Sequence, residues 1–219
     1  MKFIDSARVF FRKNSVSTKI KNDDSIFSSI AIIISENSDG DDEMFFIKRA
    51  VRNNDHFSGH MAFPGGVKED YDKSLLDTAI RETLEEVGID LSKSTEYLGS
   101  FDDYKPVNPK ANKFLVSPHV FHLKNIKTKI KMNPAEVEDT VWIPLKILKA
   151  MVKGSSRETV KFNKNYKDHV FRYKGYKIWG MTGKIPVSYT HLRAHEKQLN
   201  LIKIIKIMFL GIKVIKSGV

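Results

Sequence analysis

The clearest hydrophobic pattern in the chain predicts an amphipathic helix between Ser74 and Gly88. Apolar or small residues recur three and four positions apart there, which is the spacing of one helical face. Ser74 is expected to cap the start of the helix, with Asp77 three residues later, and Gly88 to end it. The predicted apolar stripe consists of Leu76, Ala79, Ile80, Thr83, Leu84 and Val87.

Apolar runs on both sides of this helix predict a mixed β-sheet. The β-branched run 28–35 indicates a buried strand, and residues 44–49 are expected to return beside it after the turn-forming residues 37–42. Short helices are expected near the N-terminus and after Pro144. Residues 153–167 are expected to form a loop. Further strands are predicted at residues 60–63, 96–101, 114–123, 136–143, 170–173 and 176–179.

Three glutamates are expected to lie together on the polar face of the central helix. Glu82 is three and four residues from Glu85 and Glu86, and residues at these spacings share a helical face. A solvated helix tolerates such repulsion, which costs roughly a few tenths of a kcal/mol per pair. A hard divalent cation would also relieve it, and Mg²⁺ bound by carboxylates and substrate phosphates suits the pattern. Both interpretations stay open from the residues alone.

The segment Arg81–Ile89, RETLEEVGI, resembles the second half of the Nudix box, REUxEExGU, in which U is a bulky apolar residue; Thr83 departs from that pattern. Five residues separate Gly66 from Asp72, and eight, one more than usual, separate Asp72 from Arg81. The extra residue and the GxxxFPGG element at 59–66 resemble the coenzyme A diphosphatase branch of the Nudix hydrolases. The resemblance implies an α/β fold, a Nudix-type α/β/α sandwich with a mixed β-sheet.

The same resemblance implies an enzyme that cleaves a phosphoanhydride with Mg²⁺ or Mn²⁺. The expected substrate is coenzyme A or one of its thioesters, cleaved to 3′,5′-ADP and 4′-phosphopantetheine. One alternative is a Nudix pyrophosphatase that acts on ADP-ribose, dinucleotides or capped RNA. Another is a binding module that kept the fold without catalysis, although the retained Arg81 and glutamates argue against it.

Individual roles also follow from the resemblance. The implied metal ligands are Glu82, Glu86, Glu85 and Gly66, the last through its carbonyl group. The implied catalytic residues are Glu85, Arg81 and Glu82. Arg81 either orients a neighbouring glutamate or forms an ordinary surface ion pair with Glu85. The substrate phosphates are expected to meet Arg49, Arg52 and Lys68.

Carboxylates outside the helix receive weaker predictions. Glu136 and Glu138 are candidates for a base in a segment beyond the box, with a solvated strand entry as the alternative. Glu69 and Asp72 are expected to be solvated loop residues or helix caps and not metal ligands.

The net charge of +11 invites a nucleic-acid interpretation, but the C-terminal segment weakens it. Residues 187–219 begin VSYTHLRAHE, which resembles a translated cloning adapter, and continue as an Ile/Lys-rich run. That segment has six basic residues and one acidic residue, so residues 1–186 carry +6. We expect a lead-in at 1–25, a Nudix domain at 26–186 with a truncated last helix, and a non-native tail at 187–219.

Other features of the composition narrow the class of protein. The chain has no cysteine, so it has no disulfide framework and no thiolate metal site. Its first residues lack the apolar core of a signal peptide, and no run reaches transmembrane length. We expect a cytoplasmic protein that binds a small, coenzyme A-like nucleotide, with no nucleic acid and no membrane as partner. The sequence indicates no oligomeric state.

Overall fold

The computed structural model describes residues 3–13, 24–53, 57–106, 111–124, 129–148, 158–163 and 166–178. The predictions of a truncated last helix from residue 180 and of a non-native tail at 187–219 lie outside these residues. The helices are α1 (Phe3–Lys13), α2 (Leu75–Val87) and α3 (Leu91–Ser94). The strands are β1 (Ile26–Glu36), β2 (Asp42–Arg49), β3 (Met61–Ala62), β4 (Gly65–Val67), β5 (Thr95–Ser100), β6 (Phe114–Leu123), β7 (Val137–Pro144), β8 (Glu158–Asn163), β9 (Tyr166–Tyr173) and β10 (Tyr176–Ile178).

Seven of the strands form one mixed sheet, with β1 near its centre. β6 runs parallel to β1 along residues 26–34, and β5 pairs antiparallel with β6. On its other edge, β1 pairs with β4 at residues 28–30 and with β2 at residues 34–36. β7 pairs with β2 along nearly its whole length. β8, β9 and β10 form a three-stranded antiparallel sheet.

The short strands β3 and β4 fill the space where β1 and β2 diverge. β3 pairs with Ile47 and Lys48 of β2, while β4 pairs with β1. Between them, the Pro64 carbonyl accepts a hydrogen bond from the Ala31 N–H at 2.8 Å. This arrangement brings a glycine-rich turn into the middle of the sheet.

Both faces of the sheet are covered, which confirms the α/β class and the layered arrangement. Alternate residues of β1 belong to two different cores, because side chains alternate across a strand. One core contains Ala31 and Ile33 and is covered by α2 and α3. The other contains Ile32 and Ile34 and is covered by α1 and by helical residues 145–148. Burial on both faces explains the continuous apolar run of β1.

The two terminal signals of α2 are confirmed, but two side chains on it lie elsewhere than predicted. Ser74 Oγ accepts from the Asp77 N–H, and Gly88 ends the helix with φ 71°. Leu84 was placed on the apolar stripe, yet it is 48% exposed. Glu86 was placed on the polar face, yet it is 3% exposed. The buried face is therefore rotated toward Glu86, because this carboxylate has a backbone partner inside the fold.

Other expectations are met in part. The N-terminal helix is confirmed, and its Ile4, Ala7 and Phe11 are buried. The helix after Pro144 is confirmed for residues 145–148, and its remainder lies outside the described residues. The loop predicted at 153–167 is wrong for residues 158–163 and 166–167, where pairing between β8 and β9 makes strands from a polar sequence. No helix in the described part of the chain is long and apolar enough to cross a membrane.

The close approach of β4 to β1 makes Gly65 the most sensitive position of this turn. A Cβ at Gly65, where φ is +148°, would lie 2.2 Å from the Ser29 carbonyl oxygen. We expect Gly65→Ala to lower the free energy of unfolding by at least about 2 kcal/mol more than Gly175→Ala. Gly175 is the matched control, because its φ is +86° but its Cβ would meet nothing within 4 Å. Urea unfolding measures both variants, and equal losses would contradict the packing argument.

Candidate active site

The first carboxylate of the site is Glu86, which is fixed by the backbone of the glycine turn. The Gly65 N–H donates to Glu86 Oε2 at 2.9 Å, across 21 residues of sequence. The side chain can reach that donor because α2 packs against both β1 and β4. A buried carboxylate needs such a donor, since burial of an unpaired charged group is costly. The glycine turn and the last turn of α2 are therefore one structural unit.

The second carboxylate, Glu82, lies one helical turn earlier and packs against Gly66. A Cβ on Gly66 would lie 2.3 Å from the Glu82 carboxyl carbon and from its Oε1. No larger residue fits there unless Glu82 moves. The two glycines thus act differently: Gly65 donates a hydrogen bond to Glu86, and Gly66 leaves room for Glu82.

Arg81 holds Glu82 from the other side and uses all five of its N–H donors. Nε and Nη2 donate to the two carboxylate oxygens of Asp72 at 3.0 and 2.8 Å. Nη1 donates to Glu82 at 2.8 Å and to Glu85 at 3.0 Å, and Nη2 also donates to the Val67 carbonyl at 3.0 Å. The predicted pair with Glu85 is present, but Arg81 is only 16% exposed and also holds Asp72 and Glu82, so it is more than a surface ion pair. Arg81 joins the loop before α2 to the glutamates on it.

Asp72 is the buried partner of this arginine, and its predicted place in a solvated loop is wrong. It is 5% exposed and also accepts from the Glu69 N–H and the Thr78 hydroxyl at 3.0 and 2.9 Å. The Arg81 guanidinium holds the pKa of Asp72 well below its usual range. The same contact, with Asp72 contributing most, raises the pKa of Arg81. Asp72 is therefore a structural anchor between the loop and α2.

The third carboxylate is Glu136, which comes from the segment before β7. This segment docks on the end of α2: the Lys131 and Asn133 N–H groups each donate at 2.9 Å, to the carbonyls of Val87 and Glu86. These carbonyls lack partners within a helix, so the docking satisfies them. The Ala50 N–H donates to the Glu136 carbonyl at 2.8 Å and attaches the other side to β2.

Glu82, Glu86 and Glu136 each place a carboxylate oxygen within 4.8 Å of the others. In the described part of the chain, these three glutamates form the group of acidic side chains that is spaced to bind a metal ion. Burial, with the charges of Glu82 and Glu136, raises the pKa of Glu86 to about 8, against opposing effects of the Gly65 N–H and Arg49. Burial also raises the pKa of Glu82 despite the contact with Arg81.

This donor set fits a hard divalent cation. Mg²⁺ and similar ions take carboxylate oxygens, and they usually keep further positions for water and phosphate. A cation would stabilise the charged forms of the desolvated Glu82 and Glu86, whose negative charges repel each other. The sequence-predicted ligands Glu82 and Glu86 therefore lie together, and Glu136 joins them.

The remaining predicted residues are not members of this cluster of metal-ligand spacing. Glu85 lies outside it, with a side chain that is 51% exposed. Arg49 affects the cluster through its charge, which lowers the pKa of Glu86. Lys68 donates to the neighbouring Glu69 carbonyl at 3.3 Å. Arg52 donates to the Ala135 carbonyl, so its guanidinium already has a protein partner.

The two base candidates beyond the box also divide. Glu136 enters the cluster, whereas Glu138 forms an ion pair with Lys48. The sequence does not distinguish them, because both lie at the start of the same predicted strand. The one sequence feature that favours Glu136 is the turn-forming Asn133. Its Oδ1 accepts from the Ala135 N–H at 3.1 Å and shapes the turn that carries Glu136.

Comparisons with known proteins identify similar chains. A family model described as NUDIX domain matches residues 27–162, which is more than half of the chain. The protein C14C4.10c of Schizosaccharomyces pombe, itself uncharacterized, is 40% identical over 106 residues, covering 47% of this chain and 32% of that protein. The peroxisomal coenzyme A diphosphatase ndx-8 of Caenorhabditis elegans is 31% identical over 121 residues, covering 54% of this chain and 47% of that protein.

Among solved structures, the chain is similar to the NUDIX domain of Shewanella oneidensis NrtR, crystallised with ADP ribose. The TM-score is 0.44 at 18% identity, covering 59% of this chain and 78% of that chain. The chain spans between 32% and 65% of the length of the first curated relatives that it matches.

The buried pair of Asp72 and Arg81 predicts a pH-dependent stability. Because the folded-state pKa of Asp72 is lowered, the pair stabilises the fold above the unfolded-state pKa of about 3.9. This contribution is lost as the pH falls from there through the folded-state pKa. We expect Asp72→Asn to cost about 3 kcal/mol at pH 7, and the difference from wild type to shrink as the pH falls below 4.

Urea unfolding at several pH values measures this difference. Asp70→Asn is the matched control, because Asp70 is exposed and lies in the same loop as Asp72. We expect that control to change stability by less than about 0.5 kcal/mol. A loss for Asp72→Asn that stayed constant down to pH 2 would contradict the assigned role of the ion pair.

Proposed function

Because this chain belongs to the Nudix family, we propose that it is a metal-dependent hydrolase that cleaves a phosphoanhydride in a nucleotide-like substrate. The observation that carries the proposal is the cluster of Glu82, Glu86 and Glu136 beside the glycine turn. Two of its members come from the matched box and the third comes from a distant segment. A binding module without catalysis would have no need for three carboxylates at ligand spacing, one of them buried.

The cluster would hold the cation, Mg²⁺ or Mn²⁺, through oxygen atoms of its three glutamates. When bound, such an ion offsets negative charge on phosphate oxygens and lowers the pKa of water. The chain's own part is to fix the ligands before substrate arrives. Gly65 fixes Glu86 by a hydrogen bond, and Arg81 fixes Glu82 by another.

We propose that Glu85, one of the catalytic residues that the resemblance implies, accepts the proton. Its carboxylate is the more exposed one on this face of α2, and it shares Arg81 Nη1 with Glu82. It is therefore held near the cluster while it stays open to solvent. In this scheme water attacks phosphorus, the anhydride bond breaks, and Glu85 accepts the proton that water loses.

We propose coenzyme A or a thioester of it as the substrate. Support comes from the GxxxFPGG element, from the extra residue before Arg81, and from the similarity to ndx-8 of C. elegans, which is named a coenzyme A diphosphatase. Within the element, Phe63 packs on Phe46 with ring centroids 4.8 Å apart, and the Pro64 carbonyl accepts a hydrogen bond from the Ala31 N–H of β1. These residues support the fold of the turn, so they bear on substrate choice through the resemblance alone.

Arg49 is the proposed cation for a substrate phosphate, because its charge already reaches Glu86. A positive group near the three carboxylates would attract the substrate phosphates and offset part of the negative charge of the carboxylate cluster. Lys68 lies on the loop after β4, beside the glycine turn, and is the second proposed phosphate contact.

The carboxylate cluster predicts a strict requirement for metal. We expect Glu86→Gln and Glu136→Gln each to lower kcat by at least about a hundredfold, on the scale of lost electrostatic stabilisation. Glu138→Gln, two residues from Glu136, should stay within about threefold of wild type, because Glu138 pairs with Lys48 instead. Steady-state hydrolysis with Mg²⁺ or Mn²⁺ measures these variants. Full activity in excess EDTA would sink the assignment.

The substrate proposal has its own test. We expect incubation with coenzyme A and divalent metal to give 3′,5′-ADP and 4′-phosphopantetheine, identified by mass spectrometry. A matched panel includes acetyl-coenzyme A, ADP-ribose, a diadenosine polyphosphate and capped RNA. Faster turnover of ADP-ribose than of coenzyme A and its thioesters would reject the coenzyme A proposal and retain the hydrolase.

A further inference from the structure

The position of Glu136 depends on a short turn, Asn133–Glu136, here named the Glu136 turn. On one side, the Asn133 N–H donates to the Glu86 carbonyl at the end of α2. On the other side, the Ala50 N–H donates to the Glu136 carbonyl. These backbone bonds fix the two ends of the turn. They involve neither the Ala135 carbonyl nor the Glu136 carboxylate.

Arg52 supplies contacts at both of these places. Its Nε donates to the Ala135 carbonyl at 2.7 Å, and its Nη2 donates to the same oxygen. Nη2 also lies 3.7 Å from Glu136 Oε1. The planar guanidinium can make both contacts at once, which the single ammonium group of lysine cannot do with the same geometry.

The backbone of Arg52 is itself held in place. The Arg52 N–H donates to Ser58 Oγ at 2.6 Å, and the Ser58 hydroxyl donates to the Arg52 carbonyl at 2.9 Å. This reciprocal pair fixes the point from which the side chain extends. Arg52 is thus anchored at its backbone and bonded at its guanidinium, although 43% of its side chain is exposed.

We propose that Arg52 is a positioning residue that holds the Glu136 turn in place, and not a receiver of substrate phosphate. This inference rests on the proposed metal site, since it concerns the third carboxylate of that site. By bonding the Ala135 carbonyl and forming an ion pair with Glu136, Arg52 restricts where the Glu136 carboxylate lies. The third ligand would therefore be in place before substrate binds.

Whether Arg52 acts by its position or by its charge can be told from the direction in which its substitution changes the affinity for a cation. Removal of a positive charge near the cluster would by itself strengthen the binding of a cation. Loss of an orienting contact to a metal ligand has the opposite effect and typically weakens metal binding by about 10- to 100-fold. We therefore expect Arg52→Gln to bind Mn²⁺ about tenfold more weakly in the absence of any substrate.

The experiment measures Mn²⁺ affinity of the full chain by calorimetry or by the electron paramagnetic resonance signal of free Mn²⁺. Glu136→Gln should also weaken binding, and Arg52→Gln should add no further loss in the Glu136→Gln background. Arg52→Lys should recover part of the affinity. Ser58→Ala, which frees the Arg52 backbone, should weaken binding in the same direction by about threefold, as a smaller loss of orientation.

Arg12→Gln is the matched control, because Arg12 is an exposed arginine on α1, which covers the other face of the sheet. It should bind Mn²⁺ as wild type does, and circular dichroism verifies that all variants are folded. Unchanged or tighter Mn²⁺ binding by folded Arg52→Gln, with a loss for Glu136→Gln, would overturn this inference alone. Unchanged binding by Glu82→Gln, Glu86→Gln and Glu136→Gln together would overturn the metal site and this inference with it.

Discussion

The hydrogen bond from the Gly65 N–H to Glu86 is the interaction on which the rest of the site depends. A glutamate that is 3% exposed must find a donor inside the fold, and a glycine backbone at the sheet surface provides it. Only glycine fits at position 65, because any side chain there would collide with the carbonyl of Ser29. Fold and site therefore share one constraint, the close approach of β4 to β1 and to α2.

The ion pair of Arg81 and Asp72 adds a second constraint, on the loop between β4 and α2. Arg81 must reach Asp72 and Glu82 together, so the loop has to bring Asp72 beneath the first turns of the helix. Asp72 also accepts from Thr78, which lies in the second turn of α2. A carboxylate that joins loop and helix in this way restricts both, and Glu82 and Glu85 are held as a consequence. The extra residue before Arg81 lies in this loop or in the helix that it enters.

Local signals predicted much of the fold, and long-range contacts decided the parts that sequence reasoning missed. Ser74 and Gly88 mark the ends of α2 because caps act on the neighbouring backbone. The run of β1 was equally visible in the sequence. The strands predicted at 170–173 and 176–179 also leave Lys174 and Gly175 as the turn between them, and both residues have positive φ. The burial of Glu86 was not, because its donor lies 21 residues away. Arg52 meets Ala135 across 83 residues, and no periodicity reports such a distance.

The site thus has a local half and a distant half. Glu82 and Glu86 share one helix with Arg81, so their spacing is fixed as soon as α2 forms. Glu136 reaches them only when the segment before β7 donates to the carbonyl groups at the end of α2 and its Glu136 carbonyl accepts from the Ala50 N–H after β2. Those same bonds satisfy carbonyl groups that a helix leaves unpaired, so the docking stabilises the helix and completes the carboxylate cluster in one step. The cluster is therefore a product of tertiary packing, and a cation that joins its two halves would stabilise the packed state over any state in which they are apart.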